Sequence, residues 1–193
     1  GARIIPSEAA VADQQARASM QFSMLHELLG EALQGTEAVS AEETFAESHS
    51  FELGGVAFEI HHVGPAHTPG DSFVWLPRQR TVFTGDIVYV ERLLGVLSYS
   101  NSKGWLAAFE ALAAREPAHV VPGHGHATTL DEARAQTYDY LTNLRARMRA
   151  HIDAGGDMIG AVEVDQSAFR HLEQFDALAR RNAQQVFSEM EWE

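Results

Sequence analysis

Three short motifs carry residues that could do chemistry: Ala66-His67-Thr68-Pro69-Gly70-Asp71, Phe83-Thr84-Gly85-Asp86 and Val121-Pro122-Gly123-His124-Gly125. Each sets a potential metal ligand beside a glycine or proline, just past an apolar run. Imidazole nitrogen suits zinc and iron, and carboxylate is hard enough to bridge two cations. Two such cations ~3.5–4 Å apart can hold a hydroxide between them. One ion alone lowers the pKa of its water to roughly 7, which puts a nucleophile at neutral pH. Gly85 and Gly123 permit turns that aim the ligands at a shared point, and Pro69 and Pro122 stiffen those turns. Thr-Gly-Asp alone reads as a turn; the ordered trio is the signal. No H-x-H-x-D-H motif occurs in the 193 residues, and the three motifs are expected to supply half of a two-metal site.

The other histidines bear less weight. His61 and His62 are adjacent in a strand pattern and face opposite sides, so at most one points at a site. His126 lies two residues beyond His124, but Ala127-Thr128-Thr129 follows, and its alternatives are a substrate contact or a solvated side chain. His26, His49, His119, His151 and His171 read as structural or solvated. Asp71 reads as a turn cap, with orientation of His67 as the alternative.

The ligands must be positioned by the elements around them. Ile4-Ile5 reads as a short strand, and Ser7 caps a helix that Gly35 stops. Phe22, Leu25, Leu29 and Leu33 keep helical spacing, as do Met20, Met24 and Leu28, and the methionines read as core filler. Val56, Phe58 and Ile60 alternate with Ala57, Glu59 and His61, which predicts a strand with one buried face. Residues 71–76 and 81–84 form a hairpin. Residues 87–102 are irregular, and two readings stand equal: a loop of substrate contacts, or a packed surface loop. Trp105, Phe109 and Leu112 mark a helix, His119-Val120-Val121 a strand, and Thr129 with Glu132 a capping box. The long helix that follows has the stripe Ala133, Thr137, Leu141, Leu144 and Met148, and Gly155-Gly156 closes it. Residues 167–190 supply one or two more helices. Strands in the middle with helices on either side fit a layered α/β domain, whose ligand sites gather at the carboxyl ends of strands.

The stretch from Gly64 to His126 resembles the C-terminal half of a metallo-β-lactamase-fold hydrolase, the superfamily that includes glyoxalase II. The wider text to Asn182-Ala183-Gln184-Gln185 is similar to bacterial members labelled quinoprotein relay system zinc metallohydrolases. The resemblance implies the αββα sandwich, here its C-terminal half with part of the N-terminal half. It implies that His67 binds the first metal, that Asp86 bridges the two and is the catalytic carboxylate, and that His124 binds the second. It further implies two zinc ions, with iron or manganese as alternatives, acting through metal-bound hydroxide on an ester, thioester, lactam, lactone or phosphodiester. Residues 1–193 then form one domain that lacks the H-x-H-x-D-H segment. Such a chain is expected to bind metal weakly or not at all and to be inactive by itself. The alternative is a non-catalytic half-domain with a structural or binding role that self-associates to cover its open sheet, and a homodimer is expected.

Composition narrows the partners. Fourteen Lys and Arg against 27 Asp and Glu give a net charge of −13, which repels nucleic acid and anionic membrane surfaces. A small-molecule substrate is expected instead. The one basic cluster, Arg145, Arg147 and Arg149, reads as a solvated helix face. The absence of cysteine excludes disulfides, thiolate zinc sites and a Cys nucleophile, and suits cytosol and periplasm equally. The resemblance leans slightly to the periplasm.

Overall fold

A computed structural model describes residues 2–193. Among these, the strands β1 (Ser48–Leu53), β2 (Val56–His61), β3 (Phe73–Leu76), β4 (Thr81–Phe83) and β5 (His119–Val121) form one five-stranded sheet in sequence order. The first three pairings are antiparallel hairpin-type neighbours, and β4 pairs with β5 in parallel. That change of direction needs a crossover, which α2 (Ser102–Ala113) provides. The chain is thus α/β, a five-stranded sheet with helices, as the order of its predicted elements implies.

The core lies between the C-terminal part of the sheet and the later helices. Trp105, Phe109 and Leu112 of α2 are fully buried, as the helical spacing predicts. Thr129 caps α3 (Leu130–Ala133) by accepting the Glu132 N–H at 3.2 Å. The Glu132 carboxylate does not close the capping box; it accepts from Gln136 one turn on. A π-helical turn (Arg134–Tyr138) leads directly into α4 (Asp139–Asp153). The stripe Ala133, Thr137, Leu141, Leu144 and Met148 is buried throughout. A short α5 (Met158–Ala161), a 3₁₀ turn (Ser167–Phe169) and α6 (Phe175–Met190) complete this layer. Arg145 ties α4 to α6, pairing with Glu189 at 3.2 Å and Glu193 at 2.7 Å, and Arg147 and Arg149 also meet carboxylates.

The N-terminal region departs from expectation. Residues 2–6 form no strand apart from the bridge between Ser7 and Phe45 that follows them. Ser7 caps α1 (Glu8–Leu29) as predicted, accepting the Ala10 N–H. The helix stops at Gly30 rather than Gly35, and a 3₁₀ turn (Gly30–Leu33) uses the intervening residues. No residue of α1 is buried. Met20, Met24 and Leu28 are 58%, 60% and 76% exposed, so the methionines are not core filler. Apolar spacing marks a face that can be buried, but burial needs a neighbour, and none packs there. The helix is held near its start, where the Ser7 hydroxyl donates to the Gly70 carbonyl at 2.9 Å, and at Arg17, which lies over the Tyr99 ring. The predicted buried face of β2 is likewise absent, since all six of its residues are half-buried. No helix among the described residues is long and apolar enough to cross a membrane.

Candidate metal centre

The parallel register of β4 and β5 places two of the ligands side by side. Phe83 is opposite Val121, Asp86 lies three residues beyond the first, and His124 three beyond the second. Hydrogen bonds continue the pairing past the strand ends: Thr84 N–H to Val121 O, Gly123 N–H to Val88 O and Val90 N–H to His124 O, all 3.0–3.1 Å. At Gly123 a Cβ would overlap both the Asp86 carboxylate and the Gly85 backbone, so only glycine lets these turns approach.

His67 arrives from the loop after β2. Its Nε2 stands 3.7 Å from Asp86 Oδ2, while His124 Nε2 stands 3.6 Å from Asp86 Oδ1. Each imidazole therefore faces a different oxygen of one carboxylate. Both gaps exceed a good hydrogen bond. They are close to the ~3.4 Å between two ligands that sit ~2.0–2.1 Å from one tetrahedral ion. Among the described residues no group of three or more His, Asp or Glu side chains gathers as a complete cage for one ion. The arrangement is instead two incomplete pairs that share Asp86. The donor set of two imidazoles and a carboxylate suits zinc and iron.

The His67 ring is fixed from behind. Its Nδ1 lies 3.0 Å from the Gly95 carbonyl, which can only accept, so Nδ1 carries a proton, and in the neutral ring Nε2 holds the lone pair on the side of Asp86. The ring also meets the edge of buried Trp105, at 5.3 Å between centroids. His124 stacks on Tyr89, at 4.6 Å and 22°. Burial, then the charge of Asp86, pushes the Tyr89 hydroxyl up, so it stays protonated beside that carboxylate. The His67 side chain is 13% exposed and that of His124 40%, so the centre opens to solvent on the His124 side.

The segment after Asp86 decides between its two readings in favour of packing. Ile87, Val88, Tyr89, Val90, Leu93, Leu94 and Val96 are all buried. Polar side chains from the helices pin its backbone. The Trp105 indole N–H donates to Ile87 O at 2.8 Å. Thr137, in the π turn, donates to Tyr89 O at 2.6 Å and accepts from Tyr89 N at 3.0 Å. Its neighbour Gln136 accepts from Glu91 N. Helical spacing marks Trp105 and Thr137 as core-facing but does not show that their polar atoms serve this loop; the density of apolar residues in 87–96 signals a buried segment, and buried backbone needs partners.

Other candidates fall elsewhere. Asp71 caps its own turn, accepting from Thr68 N at 2.8 Å and Thr68 Oγ1 at 2.5 Å, and does not touch His67. His62 Nδ1 bonds to Asp71 O, and His61 lies beside Glu59 and Phe73. His126 pairs with Glu91 in solvent at 2.9 Å.

Comparison with known proteins gives a consistent result. The profile of the Metallo-beta-lactamase superfamily matches residues 7–124. The chain is 27% identical over 88 residues to the Metallo-beta-lactamase type 2 of Bacteroides fragilis, covering 44% of this chain and 35% of that protein. It therefore spans about a third of the length of that curated relative. Among solved structures it is similar to a metallo-beta-lactamase family protein from Thermus thermophilus, at a TM-score of 0.57 and 15% identity, covering 100% of this chain and 66% of that one. It is also similar to an inverting sec-alkylsulfatase from Pseudomonas sp., at a TM-score of 0.62 and 17% identity, covering 79% and 27%. At these identities the structural likeness concerns the fold.

Proposed function

Since the chain belongs to the metallo-beta-lactamase superfamily, we propose that it contributes His67, Asp86 and His124 to the centre of a metal-dependent hydrolase. The observation that carries this is the placement of two imidazole Nε2 atoms at 3.7 and 3.6 Å from the two separate oxygens of Asp86. His67 and Asp86 would hold one zinc ion, and Asp86 and His124 a second. Bound there, the ions supply Lewis acidity and a nucleophile at neutral pH.

The chain's own residues do the rest. Asp86 would serve both positions, one carboxylate oxygen toward each imidazole. The Gly95 carbonyl keeps the His67 proton on Nδ1, and Tyr89 sets the plane of the His124 ring. The exposed side of His124 leaves an approach for a hydrolysable ester, thioester, lactam, lactone or phosphodiester, while Trp105 and Tyr89 exclude water from behind His67. With two ligands per position, the chain binds metal weakly by itself, because affinity follows ligand number.

Cobalt titration tests this. The protein is expected to develop visible absorption with added cobalt at high micromolar to millimolar concentration, and Asp86→Asn is expected to abolish it. Equal cobalt spectra for the protein and for Asp86→Asn would refute the assignment.

A second reading, a self-associating unit without catalysis, is supported by the exposed Met20, Met24 and Leu28 of α1. A second copy of the chain would cover that face. Light scattering that finds only monomer at micromolar concentration would refute it.

A further inference from the structure

Asn182 lies in the middle of α6, fully buried, far in sequence from every candidate ligand. Its amide is used completely on its donor side. Nδ2 donates to Leu94 O at 2.8 Å and to the Tyr140 hydroxyl at 2.9 Å, and Oδ1 accepts the Val96 N–H at 2.8 Å. A flipped amide would set N–H against N–H and oxygen against oxygen, so one orientation alone fits. Tyr140 in turn donates to Gln166 Oε1 at 2.8 Å, and Gln166 Nε2 donates to Ala179 O at 2.9 Å, which closes the network on α6 itself.

The two loop atoms that Asn182 holds flank Gly95. The Val96 N–H and the Gly95 carbonyl belong to the same peptide unit, which is planar and trans, so the two groups point to opposite edges of one plane. On one edge the N–H is held by Asn182. On the other the carbonyl accepts the Nδ1–H of His67 at 3.0 Å. The result is a continuous chain from Asn182 Oδ1 through one peptide to His67. Hydrogen bonds in such a chain polarise one another. Gly95 has no Cβ and nothing within 4 Å of where one would stand, so no side chain at this residue anchors the peptide. The carbonyl therefore needs a fixing partner, and Asn182 supplies it from the far side.

We propose that Asn182 is a positioning residue for His67, acting through the Gly95–Val96 peptide to hold the imidazole in its Nδ1–H tautomer with Nε2 turned toward Asp86. The significance for metal binding rests on the ligand role proposed above for His67; the tautomer effect does not. Partners of this kind behind a histidine ligand are typically worth about 10–100-fold in metal affinity.

Nitrogen NMR on the metal-free protein, at a pH where the His67 ring is neutral, reads the tautomer directly. In the wild type the Nδ1–H form is expected to predominate. Couplings are expected across the His67 Nδ1–H to Gly95 carbonyl bond and the Val96 N–H to Asn182 Oδ1 bond. Absence of either coupling, or a predominant Nε2–H form in the wild type, overturns the proposal whatever the variants do; should Asn182→Ala fail to fold, both couplings together with the Nδ1–H form in the wild type uphold it. Asn182→Ala is expected to give a mixture of tautomers and to weaken cobalt binding at least about 10-fold. Tyr140→Phe loosens the same buried network but leaves the Val96 bond in place, and it is expected to keep the wild-type tautomer. An unchanged tautomer in Asn182→Ala, or an equal change in Tyr140→Phe, overturns the proposal. A wild type that binds no cobalt would sink the hydrolase reading alone, since the tautomer measurement needs no metal.

Discussion

The helices α1 and α4 are both long and both carry an apolar stripe, yet their fates differ. In α4 and the turn before it, Thr137, Tyr140, Leu141, Leu144 and Met148 are fully buried. In α1 no residue is buried, and Met24 and Leu28 stand in solvent. The same split runs through the sheet, where β3 is largely buried and β1 and β2 are half-covered or open. The difference teaches that apolar periodicity specifies which face a helix can bury, not whether a neighbour exists to cover it. It also locates the chemistry: all three candidate ligands are braced by the covered region.

Stability measurements can break this comparison. The largest effect is expected for Trp105→Ala, which empties a core site and frees the Ile87 carbonyl; it should cost about 3–5 kcal/mol in urea unfolding. Met24→Ala should cost no more than about 0.5 kcal/mol. A cost for Met24→Ala near that of Trp105→Ala would mean that α1 is covered in solution. Thr137→Val comes next. It keeps the shape but strips the hydroxyl that serves both Tyr89 N and Tyr89 O, and should cost about 1–3 kcal/mol. Faster hydrogen exchange at the Tyr89 amide would report the same change, and no change in either would show that the loop holds itself.

The smallest effect is a pH dependence from the open side of the sheet. Burial, and then the Arg115 charge, holds the His61 pKa below its ordinary value, with Glu59 opposing. The unfolded chain therefore takes up a proton on this ring more readily than the folded one. Stability is whole above the ordinary histidine pKa of about 6.5 and falls as pH drops through that value toward the lower folded one. His61→Gln should flatten this part of the profile between about pH 7.5 and 5, read as the urea midpoint. An unchanged slope would show that His61 is too well solvated to matter.

Much of this was legible in the residues. The Ser7 and Thr129 caps, the 71–84 hairpin, the α4 stripe and the three motifs follow from local rules that act over a few positions. The resemblance implied a shared centre for His67, Asp86 and His124; the approach of Asp86 to His124 rests on equal offsets beyond a parallel strand pair, a property of register that no local pattern records, and His67 joins them from the loop after β2. The supports of the ligands were not legible. Tyr89 acts by stacking on His124 and Gly95 through its own carbonyl, while Thr137 and Asn182 bond backbone groups of distant segments; the stripe marks Thr137 as buried but does not say what its hydroxyl bonds. The errors lie where a neighbour was assumed, on the Ile4-Ile5 segment, on α1 and on β2.

The π turn at Arg134–Tyr138 has a consequence for the length of the gene as well as for its content. Such a turn accommodates one residue more than an α-helix would need for the same rise. Removing a single residue there would let regular winding resume with the residues on either side keeping their facing, because the extra residue is taken up within the one wide turn. Removing one from the regular part of the helix would instead turn everything on one side by about 100° relative to the other, and carry either Thr137 or the stripe of Leu141, Leu144 and Met148 off its partners. The π turn is thus the stretch of this helix where a one-codon deletion is expected to be absorbed.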